Sequence, residues 1–515
     1  MTNINLSSDD LIQNETTSLV QGIEYLDEDE SINGISKFRQ KKYEKKLKIN
    51  LLIFISIAVV FIFVGILLTT KVFSHPQDTS NQILQEPVGV FYIVNDFHIN
   101  LQYEIEFNQK QIIKFRNTSL YYIKLIRLLW KNGVKKIANE ITENDFIILL
   151  GDMPAHFIYD ENLNEETITN VSAEFRKYMP TIPMFPLIGN GECFPDYELN
   201  FTKNNSRLQL LASIYSQYDF LQNGTSQMET FQTGGYYRIS LDELFGKRNY
   251  GGNQLAQVNS DLIILNSIYY SQQHEPTTWP NGTVPTDPVD QLAWLETQLI
   301  DIKNSGKTAM IFLHIPPGGN AYSDEANWFE IYEQPYLDLV YKYSDVITAQ
   351  FSGHFHTDDF RAQINGTNYY SSLISPAVTP DHFTNPAFRK ITYNISTGEI
   401  LDYYQYFFDL HQMNAQTLNN NFTINWIEGY TFTQAYQKPN LSPQSLYQAI
   451  QEIIQNPIDF AFWSIRHTVF YVADRSAYDC SLVFVENSNF FNCVANAYDD
   501  EIVSLDLIRS KRKEL

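Results

Sequence analysis

Five short segments each end an apolar run on residues that bind metal ions. They are Asp96-Phe97-His98, Gly151-Asp152, Gly189-Asn190, His314 and Gly353-His354-Phe355-His356. Asp96 and His98 stand two residues apart, so an extended backbone turns both side chains to one side. His354 and His356 repeat that spacing. Mixed imidazole, carboxylate and carboxamide donors suit zinc, with iron or manganese as alternatives, rather than calcium or magnesium. Two such ions about 3.5–4 Å apart hold an attacking oxygen and a phosphoryl group together, and a shared carboxylate is the simplest device that keeps them at that distance. The chemistry implied is hydrolysis of a phosphate ester or anhydride. A single Gly-Asp or Gly-Asn is a common turn. The ordered set of five carries the reading.

Something must bring these segments to one place. Short, mostly continuous apolar runs predict strands buried on both faces at VGVFYIV (88–94), DFIILL (145–150), MFPLI (184–188), DLIILNS (261–267), TAMIFLH (308–314) and VITAQFS (346–352). Helical spacing intervenes in KLIRLLWKNGVKKIANE, VDQLAWLETQLIDIKNS and YLDLVYKYSD. Strands alternating with helices predict an α/β fold. In such sheets, sites form beyond the carboxyl ends of strands, and every segment above sits at one. After about residue 410 the pattern changes. SPQSLYQAIQEIIQ opens with a Ser-Pro helix start, and IDFAFWSIRHTVFYV also reads as helical, so residues 411–515 are expected to form a mainly helical C-terminal region.

The chain resembles the calcineurin-like metallophosphoesterases. The closer likeness is to acid sphingomyelinase and the acid sphingomyelinase-like phosphodiesterases, with endopolyphosphatase a relative. It is carried by GDMPAH (151–156), GGYYRI (234–239), DQLAWLETQL (290–299), HIPPG (314–318), TAQFSGHFHTDDF (348–360) and SPAVTP (375–380). The likeness implies a central β-sandwich flanked by helices over residues 87–410. It also implies a ligand set: Asp96, His98, Asp152 and His356 for one metal, and Asp152, Asn190, His314 and His354 for the other. Asp152 would bridge the two. Asp152, Asn190 and His156 would face the phosphate, His156 as a substrate contact or proton donor. One residue departs from the pattern. Gly191 stands where the family carries a histidine thought to protonate the leaving group, and loss of a general acid costs ~10²–10⁴-fold. A phosphodiesterase or phosphoanhydride hydrolase acting on nucleotides, phospholipid headgroups or polyphosphate is therefore weighed against a catalytically impaired domain that binds a phosphorylated ligand or serves as a receptor.

The formal net charge of −23 excludes a basic nucleic-acid footprint. The run LLIFISIAVVFIFVGILLTT, Leu51 to Thr70, is uncharged and about 30 Å long as a helix, enough to span one bilayer core. KFRQKKYEKKLK precedes it, and the positive-inside rule then puts residues 1–49 in the cytosol as a disordered tail. Residues 50–70 become a signal anchor, 71–86 a stalk, and the remainder lumenal (lysosome, vacuole or another endomembrane) or extracellular, in a single-pass type II arrangement. Ten Asn-x-Ser/Thr sites follow the anchor, from Asn117 to Asn440, and N-linked glycans are expected on some of them. Cys480 and Cys493 are close enough in sequence for one loop-closing bridge, which leaves Cys193 as a small buried residue or a free thiol near the site.

Overall fold

The computed structural model describes residues 87–101, 120–249, 255–274, 284–320, 325–380, 382, 384–410 and 425–470. The tail, the Leu51–Thr70 run, the stalk and the Cys480–Cys493 pair lie outside the described residues. Among the described residues, no helix is long and apolar enough to cross a membrane.

Two six-stranded mixed sheets form the body. The first contains β1 (Val88–Val94), β2 (Phe146–Leu149), β3 (Met184–Pro186), β10 (Ala387–Asn394), β11 (Ile400–Phe407) and β12 (Ile427–Thr431), in the order β12-β11-β10-β1-β2-β3. The second contains β4 (Tyr237–Ser240), β5 (Ser260–Ile264), β6 (Thr308–Phe312), β7 (Ile347–Ser352), β8 (Asp359–Asn365) and β9 (Asn368–Ile374), in the order β8-β9-β7-β6-β5-β4. Strands β1, β2 and β3 run parallel, as do β5, β6 and β7. Their carboxyl ends therefore align, which is why the segments that follow β1, β2, β3, β6 and β7 can share one site.

The sheets pack face to face on aromatic rings. Phe91 of β1 stacks on Phe146 of β2 at 4.9 Å and meets Phe312 and Phe351 of the other sheet edge-on at 6.0 and 5.6 Å. Phe312 and Phe351 stack at 5.0 Å. Such pairs contribute roughly 0.5–1.5 kcal/mol each beyond the area they bury. Helices cover the outside: α1 (Leu120–Ala138), α2 (Glu161–Tyr178), α3 (Ser206–Gln217), α4 (Ser226–Gly234), α5 (Gln291–Asn304) and α6 (Glu330–Lys342).

All six strands expected from apolar runs are present. Strands β4 and β8 to β12 were not foreseen. Each pairs antiparallel with at least one neighbour, although β9 also runs parallel to β7, and they carry charged or polar residues, as in AFRKITYN of β10 and DFRAQIN of β8, so no continuous apolar run marks them. The region expected to be mainly helical contributes α7 (Pro443–Gln455) and α8 (Pro457–His467), but also β12, an edge strand of the first sheet. Helix α7 starts where Ser442 caps the Ser445 amide with Pro443 in the first turn, and it buries Leu446, Ala449 and Ile453.

Candidate metal centre

The i, i+2 pairs do not converge through extended backbone. Asp96, His98, Asp152, His354 and His356 all have positive φ, at 50°, 48°, 57°, 71° and 62°. Left-handed turns, not strand alternation, aim these side chains. Each costs about 1–3 kcal/mol in a residue other than glycine, and such strain gathers at functional sites. The turns are held by their neighbours. The Asp96 amide donates to Gly151 O at 3.0 Å, Phe97 to Asp152 O at 2.8 Å and Thr379 to Asp96 O at 2.9 Å, while Gly353 donates to His314 O at 3.0 Å.

All seven residues singled out as metal ligands come together and are buried or nearly so. Asp96 Oδ1 faces the Nε2 atoms of His98, His314 and His356 at 3.9, 3.8 and 3.6 Å. Asp152 Oδ2 lies 3.5 Å from His98 Nε2 and 3.3 Å from His314 Nε2. The Nε2 atoms of His98 and His356 are 3.1 Å apart, and Asn190 Oδ1 lies 3.2 Å from His314 Nε2. Three groups result among the described residues, Asp96 with His98 and His356, Asp152 with His314 and His354, and His98 with Asp152 and His156, each with its donor atoms within 4.8 Å of one another. Asp96 Oδ1 is buried without a hydrogen-bond donor among the described residues. A carboxylate oxygen so placed is costly unless a cation joins it, and the donor set around it is one that transition metals take. The residues fit a pair of divalent ions.

Electrostatics prepare the ligands unequally. Burial holds His98 and His354 down at about 3 and pushes His356 well below its ordinary range, so these imidazoles stay neutral and able to bind metal. Burial raises Asp96 to about 7, with the nearby Asp152 charge adding to it and His314 opposing it. Burial alone would lower His314, but the charge and hydrogen bond of Asp152 overcome it and carry His314 to about 10. Burial would raise Asp152, yet His314 and His98 hold it well below the usual carboxylate range.

Four residues at the site escaped the sequence reading. Glu192 accepts from the amides of Asp152, Met153 and Gly189 at 2.8, 2.7 and 2.8 Å and so ties the loops after β2 and β3 together. Asp196 accepts from Asn190 Nδ2 at 3.0 Å and pairs with His156 Nδ1 at 2.5 Å. Asn95 donates to Asp96 Oδ2. His382 stacks on His356 at 4.6 Å. Asp196 and Glu192 carried one signal, since acidic residues within a few positions of Gly189-Asn190 have ligands close by to act upon. His156 lies beside the cluster with its ring 4.7 Å from that of His98. Cys193 is buried against Gly189 O at 3.7 Å and burial pushes its thiol up, which makes it a packed residue and not a reactive one. A cavity of about 130 Å³ is lined by His354, the uncharged polar residues Ser271, Gln272, Gln273, Asn320 and Asn327, and the apolar Ile315 and Ala326.

Residues 89–358 match the family described as calcineurin-like phosphoesterase, and residues 368–512 match the acid sphingomyelin phosphodiesterase C-terminal region. Sphingomyelinase phosphodiesterase C of Dictyostelium discoideum is 31% identical over 342 residues, which is 62% of this chain and 70% of that protein. Acid sphingomyelinase-like phosphodiesterase 3b of Homo sapiens is 28% identical over 67% of this chain and 73% of its own length. A cyclic GMP-AMP phosphodiesterase of Mus musculus is 28% identical over 66% and 73%.

Proposed function

The chain belongs to the calcineurin-like phosphoesterase family, as a metal-dependent phosphoric diester hydrolase of the acid sphingomyelinase-like kind, and from that premise we propose its metals, its substrate class and its sidedness. Asp96, His98, Asp152 and His356 hold one zinc ion, and Asp152, Asn190, His314 and His354 the other. The observation that carries this is Asp96 Oδ1, a buried carboxylate oxygen ringed by three imidazole nitrogens, with Asp152 Oδ2 set between His98 and His314. Bound there, two divalent ions polarise the phosphoryl oxygens and lower the pKa of a water molecule. The chain's own residues fix the rest. The Gly191 amide holds Asp152 Oδ1 at 2.7 Å, so only Oδ2 is turned to both histidines. The Asn190 amide is oriented by Asp196. The cavity beside His354, polar with Ile315 and Ala326 among its lining, suits a neutral part of the substrate that is largely polar.

The substrate is a phosphodiester of the kinds named for the relatives, a sphingomyelin-type headgroup or a cyclic dinucleotide, with polyphosphate as the anhydride alternative. Gly191 favours a second reading, a domain that binds phosphorylated ligands without turnover. Metal analysis with a bis(4-nitrophenyl) phosphate assay at pH 5 and pH 7 separates the two, followed by a panel of cyclic dinucleotide, sphingomyelin and polyphosphate. Turnover lost on Asp152→Asn supports the hydrolase. Two bound metals with no turnover on any of these substrates sinks it.

The domain faces the lumen or exterior, behind the Leu51–Thr70 anchor. Asn170, Asn200, Asn204, Asn223 and Asn365 are exposed and open to glycosylation, whereas Asn394 is buried. Endoglycosidase treatment of the full chain from eukaryotic cells should lower its apparent mass. A chain with no glycan at any of the ten sites after the anchor contradicts this sidedness.

A further inference from the structure

We propose that Asp196 is a positioning residue that sets His156 as the proton donor which position 191 lacks. The inference rests on the hydrolase reading above. Asp196 uses both carboxylate oxygens. Oδ1 accepts from Asn190 Nδ2 at 3.0 Å, which leaves Asn190 Oδ1 turned to His314 Nε2 at 3.2 Å. Oδ2 lies 2.5 Å from His156 Nδ1. A carboxylate on Nδ1 fixes the tautomer and the ring orientation of a histidine, so Nε2 is the nitrogen that can serve a substrate. A ring nitrogen of His156 lies within 4.8 Å of the donor atoms of His98 and Asp152. The side chain keeps 32% of its surface exposed, so a leaving group can reach it from solvent. The loop after β2 thus supplies the imidazole, and the loop after β3, where the family histidine is missing, supplies a carboxylate that aims it.

The step balances without a further reagent. A water oxygen bonds to phosphorus as the bond from phosphorus to the leaving oxygen breaks. The electron pair of that bond stays on the leaving oxygen, which takes a proton from Nε2 of the doubly protonated His156, leaves the ring as its neutral Nδ1–H form, and departs as an alcohol. The attacking water loses its proton to solvent, and solvent reprotonates His156.

The test uses the full, metal-loaded chain with two diesters, methyl 4-nitrophenyl phosphate and methyl phenyl phosphate. The first leaving group departs readily as an anion and the second needs a proton. Asp196→Asn and His156→Gln should each lower kcat/KM on the phenyl ester by about 10²-fold or more, and on the nitrophenyl ester by less than about 10-fold. The double variant should lose no more than His156→Gln alone, with metal content unchanged. Equal losses on both esters, additive losses, or a rate that falls only as metal is shed would overturn the assignment and leave Asp196 as an anchor for Asn190. A second readout needs no turnover. In ¹⁵N-histidine spectra, neutral His156 (assigned by its loss in His156→Gln) should show a single Nδ1–H form that takes up its second proton at Nε2 as the pH falls, and that becomes a mixture of tautomers in Asp196→Asn. An unchanged spectrum overturns the pairing. If the wild-type chain holds two metals and cleaves neither ester, the hydrolase reading fails, and this spectrum still decides whether Asp196 positions His156.

Discussion

The Gly191 amide donates to Asp152 Oδ1 at 2.7 Å, and it does so from a residue with no room for a side chain. A Cβ added at Gly191 would lie 2.6 Å from the backbone oxygen of Pro154 and 3.3 Å from Asp152 Oδ1. Putting the family histidine back must therefore push the loop after β3 away from Asp152. Gly191→His is expected to lose about 1–3 kcal/mol of stability through overpacking and to lower turnover, not raise it. Gly191→Ala should show most of the stability loss by itself. Thermal melts beside kcat measurements check this; a histidine variant with an unchanged melt and faster turnover would refute it.

Glu192 is the other half of that loop. It is buried, and burial together with the Asp152 charge raises it to about 7, even though three backbone amides point at its oxygens. Glu192→Gln puts an amide NH₂ where an acceptor is needed, so at least one backbone donor loses its partner. A buried unsatisfied group costs about 1–3 kcal/mol. The Met153 amide, alone on Oε1, is the donor left over, which should loosen the loop that carries Asp152, so metal content should fall with stability. A Gln variant that melts like wild type and keeps its metal would show that Glu192 does not hold these loops.

The parts of the site legible in sequence were those whose cause is local. Strands buried on both faces must be apolar throughout, so β1, β2, β3, β6 and β7 announce themselves, and the ligands stand at their ends. Asp196 was not legible in this way, because FPDY reads as a turn and its partner His156 lies in the loop after another strand. The aim of Asp96 and His98 was read wrongly, since two-residue spacing suggests an extended chain while the φ of both residues is positive. Arg389 lies inside β10 and is fully buried, which a charge in AFRKITYN would not suggest. Only a contact with the loop after β7 explains it.

That contact is an ion pair. Arg389 Nη2 lies 2.6 Å from Asp358 Oδ1 with both side chains fully buried. Asp358 also accepts from Tyr430 at 2.7 Å, from Tyr403 at 3.2 Å and from Gln405 Nε2, and its amide donates to His467 O at 3.0 Å. It thereby joins β10, β11, β12 and α8 to a position two residues after His356. Removing one partner of a buried pair leaves an uncompensated charge and costs about 3–5 kcal/mol. Arg389→Met should lose stability on that scale in urea titrations and bind metal more weakly through His356. A loss below about 1 kcal/mol would mean that solvent reaches Asp358.

Metal affinity should depend on pH in two stages. Metal takes the ionised carboxylate and the neutral imidazole, so any proton on a ligand must leave when metal binds. In the metal-free site, burial keeps His98 and His354 at about 3, so neither carries a proton to displace above pH 5. His314 stands at about 10, raised by Asp152 against its burial, and Asp96 stands at about 7 through burial. Between pH 7 and pH 10 binding therefore displaces one proton, from His314, and apparent affinity falls about tenfold for each unit the pH drops. Below pH 7, Asp96 at the other ion is protonated as well, so loading both ions releases two protons and the overall constant for the pair falls towards about a hundredfold per unit. Chelator competition for zinc at pH 8, 7, 6 and 5 measures the slope. Titration calorimetry in buffers of different ionisation enthalpy counts the protons, and a count of zero at pH 6 would rule out this linkage.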